Sequence, residues 1–343
     1  VYNSAFDPEP AEDLYGAFLL TNTPVSEQMV KAVEGTSDWI SSRAGSKDLV
    51  LEVGGGAGAL ALALARRGSE VHLVEPSRAL APDRFEGTGV TFYQSMFPNP
   101  ALGERMFDIV ICRQVLEHVP APAPFLNDLR SRLNEGGIAY IEIPSAEYIF
   151  ENQSIVDFHY PHVHYYGRAS VETLFRRAGF EILESCVIKD GHDVGCLLCG
   201  IPPGEAQIQE TSNSGLAEVL SGARERATSR LAEISGPVAL YGANAYSQAL
   251  FGLFPDFTGF ASMYDDTESY VGYSAYGATA ELPIGPPDPE QLSHVAAVII
   301  TVYLHDEPIA RKLRALGYEG HIYTVRSAGL AATGAKPERL LAP

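Results

Sequence analysis

Three glycines and a carboxylate are spaced as in a cofactor-binding turn. The apolar run Leu49-Val-Leu-Glu-Val53 carries Glu52 and leads directly into Gly54, Gly56 and Gly58. The run predicts a buried parallel strand, and the glycines allow the backbone to turn tightly and to approach a ligand without an intervening Cβ. The alanine-rich helix that follows directs its N-terminus at the turn, so the pattern predicts a site for a nucleotide-type cofactor.

Two cofactors compete for this site. Gly54, Gly56 and Ala59 also satisfy the dinucleotide fingerprint G-x-G-x-x-G/A, and Glu75 ends the next strand where a ribose-binding acid is expected. S-adenosylmethionine (SAM) carries a ribose diol as well, so Glu75 fits either cofactor. Glu52 discriminates, because its carboxylate would oppose a pyrophosphate but suits a cofactor with an ammonium group and a sulfonium centre. We therefore predict SAM, with S-adenosylhomocysteine as product. An NAD(P)-dependent oxidoreductase and a non-catalytic SAM-binding module are the alternatives of another class.

A known family shares these features. The pattern Glu52-x-Gly54-x-Gly56-x-Gly58 resembles the first motif of class I SAM-dependent methyltransferases, and residues 107–120 resemble the family's fourth strand and the turn after it. In that family the run matching Leu116-Glu117-His118 starts the next helix, and the backbone after the strand passes the methionine part of SAM. The predicted cofactor-binding residues are Glu52, Gly54, Gly56, Gly58, Glu75, Ser95, Met96, Cys112, Arg113 and Gln114.

A narrower resemblance begins at His162. The stretch from His162 to Ser170, with Ala178-Gly-Phe-Glu181 after it, is similar to the E-H-x-x-Y-F-(3)-S-L…A-G-F stretch of sugar C-methyltransferases. Those enzymes carry a C-terminal Rossmann-like domain that opens with a strand and a G-A-G-type turn, here Ala239 to Asn244. The sequence differs from the family in having Pro161 where the family has glutamate, and in lacking the four-cysteine zinc module. It also has a run with four tyrosines where the family has its nucleotide-diphosphate elements: Tyr264, Tyr270, Tyr273 and Tyr276.

Residues 157–166 hold three histidines and three tyrosines, which predict a substrate pocket over the carboxyl ends of the strands. His162 is the predicted general base, since neutral imidazole accepts a proton near pH 7. Tyr160 or Tyr166 would donate a hydrogen bond to a developing oxyanion. The predicted substrate-binding residues are His159, His164, Asn22 and Asn244. Packing of aromatic side chains between the domains is the alternative interpretation of this cluster.

The same cluster contains metal-ligand residue types. His159, His162 and His164 with Asp157 could supply ligands, but their spacing fits no common zinc signature. We therefore predict no metal site.

Composition restricts the partners. The net charge is −19, from 24 basic and 43 acidic residues, which argues against nucleic-acid and anionic-membrane partners because both require clustered Lys and Arg. No apolar run approaches the length of a membrane-spanning helix, and no signal-peptide pattern is present. Four cysteines are too few for a disulfide scaffold, so a reducing cytoplasm is expected. The expected partner is a small-molecule substrate, and a homodimer is the assembly considered.

The 343 residues predict two domains. Alternating strands and helices indicate an α/β fold, namely a doubly wound Rossmann-like methyltransferase sheet with a second, smaller Rossmann-like α/β domain. We expect an N-terminal helical lid over residues 1–45, the SAM-binding domain over 46–200, a linker and helix over 201–235, and the second domain over 236–343, closing the substrate pocket. Residues 134–137, Asn-Glu-Gly-Gly, predict a turn before a strand.

The predicted function is methyl transfer from SAM to a small polar molecule, such as a sugar or natural-product intermediate. Carbon is the expected acceptor atom, with His162 removing a proton next to a carbonyl to give an enolate-like nucleophile. Methylation of nitrogen or oxygen on a small metabolite is the alternative within this class.

Overall fold

Two units make up the chain in the computed structural model. The structure describes residues 1–3, 6–7, 24, 27–44, 49–158, 162–200, 216–276, 281–302, 305–325 and 338–339. The first unit comprises residues 1–146 and 161–211, and the second comprises residues 147–160 and 212–343. The helix that the sequence places beside the linker, within 216–233, therefore lies in the second unit.

The described elements alternate along the chain. The helices are α1 (Glu27–Ala44), α2 (Ala59–Arg66), α3 (Pro122–Arg130), α4 (Ala146–Glu151), α5 (Arg168–Arg177), α6 (Leu216–Glu233), α7 (Ala245–Leu253), α8 (Pro289–Leu292) and α9 (Asp306–Ala315). The strands are β1 (Leu49–Val53), β2 (Glu70–Val74), β3 (Val90–Tyr93), β4 (Phe107–Arg113), β5 (Leu133–Pro144), β6 (Phe180–Ile188), β7 (Asp193–Gly200), β8 (Val238–Tyr241), β9 (Phe260–Tyr264), β10 (Ser274–Tyr276), β11 (Glu281–Gly285), β12 (Ala297–Ile300), β13 (His321–Thr324) and β14 (Glu338–Arg339).

The sheet of the first unit has the strand order β3-β2-β1-β4-β5-β7-β6. Strands β1 to β5 are parallel, whereas β7 runs antiparallel to both β5 and β6. The strand order reverses between β1 and β4, and ligands of open α/β sheets bind outside the carboxyl ends of the strands at such a point. The glycine turn follows β1 at this position.

The predicted turn at residues 134–137 proves to be part of β5. Leu133 already pairs with Phe107, and regular pairing resumes at Ile138 opposite Ile109, so the intervening residues bulge out of the ladder. Gly136 has a φ of 76°. A Cβ on Gly137 would lie 3.0 Å from the backbone oxygens of Asn134 and Asp108. The glycines therefore serve a bulge inside the strand instead of a turn ahead of it.

The run Leu116-Glu117-His118 does not start the next helix. It forms a single 3-10 turn, and α3 begins only at Pro122. The reason lies in Pro120 and Pro122: a proline disfavours helical conformation in the residue before it but fits the first turn of a helix.

The N-terminal helix α1 packs on the sheet of the first unit. Ile40 is fully buried in one core cluster together with Val50 and Leu64, and the rings of Trp39 and Tyr140 lie 5.3 Å apart. The amphipathic pattern predicted a helix in this region, and α1 occupies it. No helix of the described part has the length and apolar character needed to cross a membrane.

The second unit also contains a mixed sheet of mostly parallel strands, in the order β10-β11-β9-β8-β12-β13-β14. Only β10 and β11 pair antiparallel. The first strand, β8, is fully buried and leads into a tight turn at Gly242, whose φ is 113°. The predicted fold class, α/β with two Rossmann-like sheets, is confirmed.

Candidate functional site

The turn after β1 requires glycine for both conformation and packing. Gly54, Gly56 and Gly58 have φ values of 72°, 54° and 73°, in the left-handed region that favours glycine. A Cβ on Gly54 would lie 2.3 Å from Cγ2 of Val115, and one on Gly58 would lie 2.6 Å from the ring of Phe85. The backbone of the turn is therefore held tightly against its neighbours, with the N-terminus of α2 behind it.

Glu52 is a buried carboxyl beneath this turn. Burial raises its pKa to about 7, although Arg113 and the Ala61 amide favour the charged form. Its Oε2 atom has no hydrogen-bond partner among the described residues. A Cβ on Gly55 would lie 2.8 Å from the Glu52 carboxyl carbon, so only glycine leaves room for that group. The carboxyl can thus gain stabilisation from a cationic ligand over the turn.

Glu75 ties the glycine turn to the second strand. Its Oε2 accepts a hydrogen bond from the Gly56 amide at 2.9 Å, and its Oε1 accepts one from the Ser77 amide at 3.1 Å. Burial raises the pKa of Glu75, and these two amides oppose that rise. Each carboxylate oxygen can accept a further hydrogen bond, so a hydroxyl donor could bond to Glu75 without breaking the existing contacts.

Ser95 and Met96 follow β3. The Ser95 hydroxyl donates to the Met96 carbonyl at 3.1 Å and accepts from the Asn99 side chain at 2.6 Å. The Met96 residue is 56% exposed. An exposed apolar side chain held next to a fixed polar loop is compatible with packing against a cofactor ring.

The three predicted residues at the end of β4 differ in what their side chains do. Burial raises the pKa of the Cys112 thiol, which makes it an inert core group. Arg113 donates two hydrogen bonds to Glu142, at 2.9 and 3.2 Å. Gln114 has a φ of 54° and donates to Asp193 at 2.9 Å. The Arg113 and Gln114 side chains are thus committed to buried acids, and any contact with a cofactor at these two positions would involve the backbone.

Glu142 and Asp193 belong to a buried ionic network that was not predicted. Lys189 lies 2.7 Å from Glu142 and 2.5 Å from Asp193. His192 lies 2.6 Å from the second Asp193 oxygen. Burial would raise the pKa of Glu142, but Arg113 and Lys189 hold it far below its usual range. A lone acid in the apolar run Ile-Glu-Ile of β5 was the only sequence indication of this network.

The structure brings His162 together with two residues of the 3-10 turn after β4. The potential ligand atoms of Glu117, His118 and His162 all lie within 4.8 Å of one another. The rings of His118 and His162 meet edge to face, with centroids 4.6 Å apart. The Glu117 carbonyl accepts hydrogen bonds from the amides of Val163 and His164, at 2.8 and 3.0 Å. These bonds hold residues 162–166, called the histidine segment below, against the 3-10 turn.

Glu117 was not a predicted site residue. It is 1% exposed, and neither carboxyl oxygen has a hydrogen-bond partner elsewhere in the described residues. Burial raises its pKa to about 8; the charges of Asp193 and Glu142 add to the rise, and Lys189 opposes it. The acid between Leu116 and His118 was visible in the sequence, but only the fold places it beside His162.

Tyr166 and His164 flank this cluster. The Tyr166 hydroxyl is buried without a hydrogen-bond partner among the described residues, and burial, followed by the charge of Glu117, raises the tyrosine's pKa. The ring of His164 stacks on Tyr166 at 5.3 Å, and its Nε2 lies 3.4 Å from the Pro120 carbonyl. Tyr166 is therefore placed to donate its proton in a hydrogen bond to a ligand.

The other predicted substrate residues lie elsewhere. His159, Tyr160 and Asn22 fall outside the described residues. Asn244 lies in the second unit as the N-cap of α7, where its side chain accepts from the amides of Tyr246 and Ser247 and donates to the Thr301 carbonyl. The Asn244 side chain is thus engaged in its own unit, and a substrate role for it stays a prediction.

Carboxylate and imidazole are also metal ligands, so the prediction of no metal site bears on Glu117, His118 and His162. We expect elemental analysis of chelator-washed protein to find no stoichiometric zinc or other transition metal. One tightly held ion per chain, lost on replacing His118 by alanine, would contradict this expectation.

Comparison with known proteins finds a match in the N-terminal part of the chain. Residues 27–185 match the family model described as a methyltransferase domain. The span contains the glycine turn, Glu75 and the cluster around His162. Residues 27–185 are therefore similar to a methyltransferase domain.

Curated relatives match part of this chain. The ubiquinone biosynthesis O-methyltransferase of Pseudomonas paraeruginosa is 34% identical over 111 residues, covering 30% of this chain and 48% of that protein. Its counterpart in Aeromonas salmonicida is 30% identical over 112 residues, covering 30% of this chain and 47% of that protein. The chain thus spans about half the length of these relatives.

Among solved structures, the Burkholderia thailandensis 1,6-didemethyltoxoflavin-N1-methyltransferase, crystallised with 1,6-didemethyltoxoflavin and S-adenosylhomocysteine, is similar with a TM-score of 0.41. It is 19% identical, and the match covers 50% of this chain and 79% of that one.

The buried carboxyl of Glu52 under the glycine turn is expected to affect stability in a pH-dependent way. Because the folded-state pKa of Glu52 lies near 7, above its ordinary value, the neutral form favours folding and that stability is lost as the pH rises through 7. Glu52→Gln mimics the neutral form. We expect its free energy of unfolding to exceed that of the wild type by about 1–3 kcal/mol at pH 8.5, with the difference vanishing near pH 4. Denaturant titrations across this range test it, with the exposed Glu104→Gln as control; a pH-independent difference would contradict it.

Proposed function

We propose that the chain transfers a methyl group from SAM to a small polar acceptor, and that His162 removes the proton from the acceptor atom. The observation that carries the proposal is the placement of His162. It is buried beside Glu117 and His118, which lie in the 3-10 turn that follows β4. The same segment contacts the cofactor turn, because Val115 packs against Gly54.

The chemistry follows from charge and proton balance. The acceptor's proton moves to the His162 imidazole, the acceptor atom forms a bond to the methyl carbon, and the bond from that carbon to the sulfonium sulfur breaks. S-adenosylhomocysteine leaves neutral, so the positive charge that was on sulfur ends on the imidazolium. The protein's part is to position the acceptor in line and to remove its proton, while Tyr166 can donate a hydrogen bond to oxygen charge that develops nearby.

Carbon is the proposed acceptor atom, in a sugar or natural-product intermediate. The support is the sequence resemblance of residues 162–181 to sugar C-methyltransferases, together with the buried hydroxyl of Tyr166, which responds to the charge of Glu117 in the same cluster. A hydroxyl acceptor is the second candidate, favoured by the partial match to ubiquinone biosynthesis O-methyltransferases. Deprotonation by His162 serves either atom.

Solvent exchange tests the proposal and separates the two atoms. A panel of keto sugars and phenols is incubated in D2O with S-adenosylhomocysteine in place of SAM. Carbon methylation predicts His162-dependent exchange of the hydrogen next to the carbonyl, followed by methylation at that carbon once SAM is added. A phenol methylated without any carbon exchange would support the hydroxyl candidate, and turnover unaffected by His162→Ala would overturn the proposed base.

A further inference from the structure

Glu117 is a buried acid to which the proposed mechanism assigns no role. We infer that Glu117 is the carboxylate partner of His162, a positioning residue that orients the imidazole and stabilises its protonated form. The inference rests on the proposed function, because it assigns a second residue to that site.

Geometry couples the two residues through both side chain and backbone. One Glu117 carboxyl oxygen and one His162 ring nitrogen lie within 4.8 Å of each other, and Nε2 of His118 lies 3.8 Å from Glu117 Oε1. The Glu117 carbonyl holds the amides of Val163 and His164, so one residue fixes the chain on the C-terminal side of His162 and faces its ring. A carboxylate next to a histidine commonly sets which nitrogen carries the proton and how the ring is oriented.

Burial indicates that the carboxyl serves more than packing. Apart from the backbone of Glu117 itself, neither oxygen has a hydrogen-bond partner in the described part of the chain, and such a group is costly to bury. Among the described residues, the groups that act on it or respond to it electrostatically are His118, Tyr166, Cys112, Asp193, Glu142 and Lys189. Lys189 is the only permanent cation among them, and it is already paired with Asp193 and Glu142. A cationic imidazolium is the partner that would satisfy Glu117.

Methyl transfer creates this cation. As the sulfonium charge disappears, the acceptor's proton leaves a positive charge on His162, and a charge at a buried site must be paired. Sugar C-methyltransferases have a glutamate immediately before this histidine, whereas this chain has Pro161. Glu117 supplies a carboxylate from a different segment of the chain.

Glu117→Gln tests the inference, because it keeps the shape and removes the acid that can ionise beside a protonated His162. The pKa of His162, followed by NMR with the His162 signals assigned through a His162→Asn variant, should fall by about one pH unit or more. With an acceptor in hand, kcat should fall about 10–100-fold, its rise with pH should shift to lower pH, and the Kd for S-adenosylhomocysteine should not change. Glu135→Gln, at the exposed bulge of β5, is the control, and Glu117→Asp, which keeps an acid on a shorter side chain, should lower the His162 pKa by less than Glu117→Gln does.

An unchanged pKa of His162 and an unchanged kcat–pH profile in folded Glu117→Gln would overturn the inference. So would a stoichiometric metal ion lost in that variant, because Glu117 would then be a ligand. Should Glu117→Gln fail to fold, Glu117→Asp decides, since a carboxylate one methylene shorter must change the His162 pKa if the two groups interact. The NMR titration needs no acceptor, so the coupling is tested even where methyl transfer itself fails.

Discussion

Replacing His162 by alanine lowers kcat for methyl transfer by about 10²–10⁴-fold, the range that a general base contributes. The Kd for SAM stays near the wild-type value, because the cofactor turn is built from Gly54, Gly56 and Glu75 and not from the histidine segment. Initial rates under saturating SAM, together with calorimetric titration of S-adenosylhomocysteine, separate the two quantities.

The exposed His294 provides the matched control. His294→Ala removes an imidazole from the second unit and should leave both kcat and Kd unchanged. An unchanged kcat in His162→Ala would contradict the assignment of His162 as the general base. Catalysis would then depend on His159, on His164 or on proximity to the sulfonium alone.

Replacing Glu75 by alanine weakens SAM binding by about 1–3 kcal/mol. Two effects add in the same direction. The ribose hydroxyls lose a charged acceptor, and the Gly56 amide loses the 2.9 Å hydrogen bond that ties the turn to the end of β2. Calorimetry with S-adenosylhomocysteine measures the change.

Glu70→Ala is the control for this substitution, because Glu70 begins the same strand and is exposed. It should bind like the wild type. Unchanged affinity in Glu75→Ala would remove Glu75 from the cofactor site.

The parallel core of the first unit could be predicted because local pattern and fold agree there. The apolar runs of β1, β2 and β4 are buried on both faces, as a sheet covered by helices requires. The glycine turn was equally predictable, since three positive φ angles demand the residues that the sequence shows. In both cases the determining contacts lie within a few residues along the chain.

The polar interior could not be predicted in the same way. Glu142 and Lys189 are 47 residues apart and meet only because β7 adds antiparallel to β5. The sequence predicted that Glu117 lies at the start of a helix. The prolines that follow restrict it to a single 3-10 turn, which contacts residues 162–164. Pairings of this kind depend on strand order and loop path, and residue spacing does not encode them.

Calorimetric titration of the whole chain with S-adenosylhomocysteine and, separately, with NAD⁺ and NADP⁺ tests the central claim most directly, which is that the turn of residues 54–58 binds SAM. We expect one S-adenosylhomocysteine site per chain, weakened in Glu75→Ala, and no heat of binding from either dinucleotide. Dinucleotide binding that Glu75→Ala weakens, with no binding of S-adenosylhomocysteine, would contradict the account.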